Sequence, residues 1–400
     1  MFLGARLEKK LAEMQDRGEL PLAVELWNGH RYAPPGCPAV TLRVARHARL
    51  GRLARADLSA LGEAYVDGDL ELEGPIDEAL RAAEALARRW SSHGAGRLPR
   101  LGRHDRRSDR EAIEYHYDVS DDFYRLWLDE RMVYSCAYYR APGDDLATAQ
   151  AQKLDHICRK LRLAPGERFL DVGCGWGALV LHAASRYGVR ATGITLSRNQ
   201  HALAEARIRA AGLADRCRVL LCDYRDLPGE GAYDKIASVG MFEHVGLKNL
   251  PVYFGALRRL LAADGAVLNH GITAVDTHHR EVGLGAGEFV EKYVFPHGEL
   301  PHLWLVVREM AEAGLEVMDV ETLRLHYART LHDWSARLEA RFAEARRLAG
   351  DRRARIWRLY LAGCAHAFAR NWVTIHQVLA VKCADPSRAA LPLTRDDVYA

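Results

Sequence analysis

The sequence predicts an α/β fold built on a mostly parallel, doubly wound sheet, with a smaller α+β domain ahead of it. Two observations predict it. From Arg168 onward short apolar runs alternate with helix-length amphipathic segments, and a glycine-rich loop, Asp171-Val-Gly-Cys-Gly-Trp-Gly177, follows the first of those runs. Strands separated by helices require crossover connections, which give parallel pairing with helices on both faces. Ligands of such sheets sit outside the carboxyl ends of the strands, so chemistry is expected in the loops after Val172, Ile194, Leu221, Val239 and Leu268.

In order, the segments read as strand Phe169–Val172, helix Ala178–Tyr187, strand Arg190–Ile194, helix Ser197–Ala211 and strand Val219–Leu221. Strand Ile236–Val239, helix Leu247–Leu261 and strand Ala266–Leu268 follow. Ahead of them, alternation in Leu22, Val24 and Leu26, an Asn28-Gly29 turn, and alternation again in Val40, Leu42 and Val44 read as a small hairpin-containing unit. Apolar spacing at Ile76, Leu80, Ala83 and Leu86 closes it with a helix over Ile76–Trp90. The expected division is residues 1–90, a linker over 91–109, and a larger domain over 110–400. Gly94, Gly96, Pro99 and Gly102 mark the linker, and its arginines, among them Arg97, Arg100, Arg103, Arg106 and Arg107, suit either solvent or an anionic surface.

A net charge of +3 over 400 residues gives no overall signal for nucleic acid. The eight cysteines, at 37, 136, 158, 174, 217, 222, 364 and 383, form no C-x-x-C pair and no framework spacing, which fits reduced thiols in a cytoplasmic setting. Charges from Arg6 to Asp16 interrupt the stretch where an export signal needs an apolar core, and no run is long and apolar enough to span a bilayer.

The glycine loop removes side chains where a ligand must approach backbone, at a helix start that favours an anionic group. With Ala178 it also fits a dinucleotide fingerprint, but the next strand ends Gly193-Ile-Thr-Leu-Ser-Arg-Asn-Gln200, without the acid that such a site sets against ribose. At the third strand, Asp223 offers an acceptor for an adenine amino group and Tyr224 a flat face. A turn-capping Asp223 beside a merely packed Tyr224 is the alternative.

Ahead of the first strand, Tyr115–Cys136 is dense in aromatic and polar residues, as loops that fold over sites are. With the motifs His116-Tyr-Asp, Met132-Val-Tyr-Ser-Cys136, Leu170–Gly177, Gly193–Ser197 with Gln200, Met241-Phe-Glu-His-Val-Gly246 and Lys292-Tyr-Val-Phe-Pro-His-Gly298, the chain from about Glu114 to Lys382 resembles the cyclopropane fatty acid synthase and mycolic acid methyltransferase family. The resemblance implies a class I, Rossmann-like S-adenosylmethionine methyltransferase fold. It also implies a cofactor site of Tyr134, Ser135, Gly173, Gly175, Gly177, Thr195, Leu196, Gln200, Asp223, Tyr224 and Val239. A bicarbonate ion is implied at Cys136, Glu243, His270, the Ile272 backbone and Tyr327. Asn269 stands where family members often carry another residue. Cys364 matches a cysteine assigned at times as catalytic, although its helical-spacing neighbours Tyr360, Leu361 and Phe368 are apolar and disfavour a thiolate.

The implied reaction is cyclopropane formation at a cis double bond of a phospholipid acyl chain. An alkene receives the sulfonium methyl, the resulting cation is stabilised by aromatic faces and a nearby anion, and bicarbonate removes the ring-closing proton as general base. A methylene- or methyl-branched product is the nearest alternative; methylation of a small soluble nucleophile and lipid binding without catalysis are two others. The resemblance further implies a homodimer working peripherally at the inner membrane face. The segment Gly283–His302, with Phe289, Tyr293, Val294, Phe295, Leu300 and neighbouring Leu303, reads as an acyl-channel lining or lid, or as plain packing. A basic helix from Arg337 to Arg358 reads as a further contact for anionic lipid.

Overall fold

The computed structural model describes residues 2–36, 38–46, 57–90, 120–277, 283–296, 298–382 and 392–399. The basic linker 91–109, the His116-Tyr-Asp motif, Cys37, Cys383 and His297 lie outside the described residues. The chain forms two compact units, one of residues 1–99, 280–296 and 335–367, the other of 100–279, 297–334 and 368–400. Two later segments therefore group with the N-terminal unit, which a contiguous division at 90 and 110 does not anticipate.

In the first unit, strands β1 (Ala23–Glu25), β2 (Arg31–Tyr32), β3 (Thr41–Val44) and β4 (Leu70–Glu73) form one sheet in the order β2-β1-β3-β4. The Asn28-Gly29 turn makes β1 and β2 antiparallel, while β3 returns parallel to β1. Leu22, Val24, Val44, Leu70 and Leu86 build its core, with Leu359 packed on it. The helix over Ile76–Trp90 forms as its periodicity predicts.

The first part of the expected lining or lid segment, up to Pro296, groups with this unit. Phe289 and Tyr293 are buried with their rings tilted at 50° and centroids 4.9 Å apart, and Phe289 lies so close to Gly62 that a Cβ there would meet its ring at 2.9 Å. The expected basic helix is three helices, Arg324–Ala340, Phe342–Ala349 and Asp351–Ala369. Much of its charge is paired: Arg346 with Asp351, Arg352 with Asp67, Arg355 with Asp351 and Glu71, and Arg358 with Glu339. Gly350, at φ 80°, separates the second helix from the third in a conformation a helix interior does not allow.

The second unit holds β5 (Arg168–Val172), β6 (Arg190–Thr195), β7 (Cys217–Leu221), β8 (Tyr233–Val239), β9 (Leu261–Ala274), β10 (Glu316–Thr322) and β11 (Val373–Val381). Their order is β10-β11-β9-β8-β5-β6-β7, parallel from β9 to β7, with β11 alone reversed. One face packs helices such as Ala178–Tyr187, with Leu179, Val180 and Ala183 buried; the other packs Leu250–Leu260 and Leu303–Glu312. The predicted Leu247–Leu261 helix is a 3-10 turn, Leu247–Asn249, leading into an α-helix with Pro251 in its first turn. No helix among the described residues is long and apolar enough to cross a membrane.

Candidate active site

The strand ends place the site where the topology requires. Past β5, Gly173 adopts φ 82° while its N–H donates to the Ile194 carbonyl at 3.0 Å, and an added Cβ would meet Met241 at 2.8 Å. Only glycine fits this turn. Gly177, also left-handed, caps the helix Ala178–Tyr187. These ends open onto a cleft lined by Val172, Gly173, Gly175, Ile194, Thr195, Leu196, Gln200, Asp223 and Tyr224. Thr195 Oγ1 donates to Gln200 Oε1 at 2.8 Å, fixing the glutamine that opens the next helix. Asp223 is bridged by Arg225, Nε to Oδ1 at 2.9 Å and Nη2 to Oδ2 at 2.6 Å, and caps its own 3-10 turn. The carboxylate accepts the Arg225 backbone N–H as well, at 2.9 Å on Oδ1, so it is set firmly at the cleft wall.

Cys222, Arg225, Gly240, Met241, His244 and Val245 complete the lining. Sequence reasoning did not place them there, although their positions just beyond β7 and β8 were the available signal. Tyr134, Ser135, Gly177 and Val239 do not line this cleft. Tyr134 instead joins a chain of rings, 5.8 Å from Tyr124, 5.3 Å from Trp127 and 5.4 Å from Trp334, and Tyr124 reaches Trp176 of the glycine loop at 5.0 Å. Ser135 Oγ accepts from buried Lys153 at 2.7 Å, and Val239 ends β8 immediately before Gly240. Burial pulls the Lys153 ammonium down to about 8 and pushes nearby Asp171 up to about 7.

The implied anion residues gather at the ends of β8 and β9. Glu243 stands in a 3-10 turn, Phe242–His244, and its Oε1 accepts from the Ile272 N–H at 2.6 Å. That N–H is engaged by the glutamate itself. Glu243 Oε2 is buried without a hydrogen-bond partner, and burial pushes its carboxyl up to about 7. Gly271 makes the arrangement possible, since a Cβ there would meet the Phe242 ring at 1.9 Å. His270 is wholly buried, its Nδ1 sits 3.0 Å from Gln377 Nε2, and its own Nε2 lacks a partner. Burial, then the positive charges of Lys153 and Lys160, hold this ring well below the usual histidine range.

The Cys136 thiol is buried, contacts the Ala137 carbonyl at 3.2 Å and the Leu323 carbonyl at 3.8 Å, and is kept protonated by desolvation. The Tyr327 N–H donates to that Leu323 carbonyl at 3.0 Å, while the Leu323 N–H donates to Ile375, which pairs with Ile272 across β11 and β9. The backbone thus ties Cys136 and Tyr327 to the Glu243–Ile272 turn. The Tyr327 ring lies 4.6 Å from Phe368 and 6.1 Å from Trp334. Cys364 belongs to the other compact unit, on the helix Asp351–Ala369, and burial pushes its thiol up to about 12, against a reactive thiolate. Asn269 faces away from this question: its Oδ1 accepts from Tyr253, whose ring stands edge-on to Tyr224 at 5.4 Å. Its setting thus concerns the cleft wall.

The geometry suits an adenosyl ligand and a small oxyanion: a backbone-lined cleft with a carboxylate and a flat ring, and two orphaned buried polar atoms, Glu243 Oε2 and His270 Nε2. No cluster of metal-binding side chains occurs among the described residues. Sheet order, glycine turn and cleft define a class I S-adenosylmethionine-dependent methyltransferase. Residues 104–378 match the family model for mycolic acid cyclopropane synthetase, and the chain belongs to that family. Residues 10–92 match a separate domain of unknown function.

A probable fatty acid methyltransferase of Pseudomonas putida is 50% identical over 384 residues, covering 95% of this chain and 96% of its own. The cyclopropane-fatty-acyl-phospholipid synthase of Escherichia coli K12 is 34% identical, covering 90% of this chain and 92% of its own. Among solved structures, a mycolic acid cyclopropane synthase complexed with SAH and CTAB is 36% identical with a TM-score of 0.64, covering 68% of this chain and 98% of its own.

Proposed function

We propose that the protein is a cyclopropane-fatty-acyl-phospholipid synthase, acting on cis double bonds of acyl chains at a membrane surface with a bound bicarbonate as base. The observation that carries this reading is the two unpartnered buried atoms, Glu243 Oε2 and His270 Nε2, on residues at the adjoining ends of β8 and β9. Leaving both orphaned costs several kcal/mol, roughly 1–3 for each, and a small polar guest removes that cost. When bound, S-adenosylmethionine supplies an electrophilic methyl, and Gly173, Gly175, Gln200 and Asp223 would hold it. Bicarbonate would supply the proton acceptor for ring closure, held by Glu243 and His270.

The chain's own residues do the rest. Trp127, Tyr134, Trp334 and Tyr327 exclude water and offer electron-rich faces to positive charge developing on the acyl chain. Glu243, anchored on Ile272, fixes the position of the base instead of acting as one. The Cys136 thiol, kept neutral, lines the site without adding charge.

The test is mass spectrometry of cis-monounsaturated phospholipid vesicles incubated with the protein, S-adenosylmethionine and bicarbonate. Gain of one CH2 with loss of the double bond is expected, and no lipid product would remove the proposal. A second reading, a methylene- or methyl-branched acyl product, has support in the name of the 50% identical Pseudomonas putida relative. The same mass gain with an alkene still cleaved by ozone would establish the methylene branch; a saturated methyl branch, two hydrogens heavier, would additionally require a hydride donor added to the incubation.

A further inference from the structure

The partner of His270 is a residue that neither the motifs nor the reaction calls for. Gln377 lies on β11 directly across from His270 on β9, and both side chains are fully buried. Directly paired residues of antiparallel strands project on one face of the sheet, which brings the amide to the ring. Gln377 Nε2 lies 3.0 Å from His270 Nδ1, while Gln377 Oε1 and His270 Nε2 have no partner.

The hydrogen-bond inventory of these two groups allows two arrangements. In one, the amide N–H donates to Nδ1, so the neutral ring carries its proton on Nε2; in the other, the amide is turned, Nδ1–H donates to Oε1, and Nε2 is a bare acceptor. Counted over both side chains, each arrangement leaves two N–H donors and one acceptor without a protein partner; the first is the one present, with Nε2 and not Oε1 of Gln377 set against Nδ1. A protonated ring is disfavoured as well, first by burial and then by the positive charges of Lys153 and Lys160, with Glu321 acting the other way.

We infer that Gln377 is a positioning residue that holds His270 with its proton on Nε2, making the ring a hydrogen-bond donor to an anion and not a proton acceptor. This rests on the proposed anion site for its meaning in catalysis, though the tautomer itself does not. A ring so fixed cannot take the ring-closing proton on Nε2. Under the proposed function that role passes to the exogenous base.

The experiment is nitrogen-15 NMR of histidine-labelled full-length protein, with the His270 signals identified by their loss in His270→Asn, without substrates and at pH 7. A protonated Nε2 and an unprotonated Nδ1 are expected; the reverse assignment overturns the inference. In Gln377→Glu the carboxylate accepts from Nδ1–H, so the proton is expected to appear on Nδ1, with kcat falling about 100-fold or more, as a displaced tautomer does elsewhere. S-adenosylmethionine affinity should stay within about twofold. Retention of turnover by Gln377→Glu despite a moved proton also overturns it. The wild-type spectrum decides the tautomer even if the variant fails to fold. If the tautomer is as inferred but turnover ignores added bicarbonate, the positioning role of Gln377 stands and the exogenous-base reading falls.

Discussion

Glu243 has two oxygens in unequal surroundings, one on a backbone N–H and one buried alone. Because burial raises its carboxyl from 4.5 to about 7, the folded chain holds a proton between those values that the unfolded chain has released. Stability from this group is therefore complete below about 4.5 and is lost as pH rises through about 7. Glu243→Gln keeps the shape and removes the titration, so its melting temperature should gain on the wild type from pH 5 to pH 8 by a few degrees, on the order of 2–3 kcal/mol. A gap that does not change with pH would show that the carboxyl titrates normally. In the same variant kcat should fall about 100-fold with cofactor affinity little changed; parallel losses would mark Glu243 as merely structural.

At the scale of the element, β9 carries the site because three successive residues do different work. His270 turns to β11, Gly271 leaves room for the Phe242 ring, and Ile272 supplies its N–H to Glu243. Gly271→Ala forces a Cβ into that ring and to 3.2 Å from Glu243 Oε1. Overpacking of this kind costs about 1–3 kcal/mol. Denaturant unfolding should show that loss together with near-complete loss of turnover, whereas unchanged stability and activity would mean the 3-10 turn moves freely. The strand itself was only partly legible. Its apolar centre, Ala266–Leu268, shows in the sequence, but its continuation to Ala274 runs through Asn269, His270 and Gly271, which carry no strand signature and are held by pairing with β11.

At the scale of the whole molecule, the first compact unit draws on three stretches of chain. Phe289 fills the space above Gly62, and Arg355 bridges Glu71 and Asp351 while donating to the Tyr65 carbonyl. Removing residues 1–92 strips the partners from 280–296 and 335–367 and exposes their apolar faces. The truncated chain should lose its cooperative thermal transition or precipitate; a soluble truncation with the parent melting temperature would show that these segments stand without the N-terminal residues.

The sequence by itself determined what local pattern and local chemistry carry: the alternation of strands and helices from Arg168, the glycine turn after Val172, the Asn28-Gly29 hairpin and the helix Ile76–Trp90. Gly173, Asp223 and Tyr224 were legible as cleft residues because each sits just past a strand, where the fold class itself points, and Gln200 through the family resemblance. Only the tertiary structure decided which distant segments meet. Gln377 faces His270 through a cross-strand register over 107 residues of sequence, the insert's aromatic residues pack in the first unit, and Cys136 meets the start of the Tyr327 helix through the Leu323 carbonyl. The reason is physical: periodicity tells which face of an element is buried, but which partner buries it is settled by long-range packing and register, in which every buried polar group must find its counterpart.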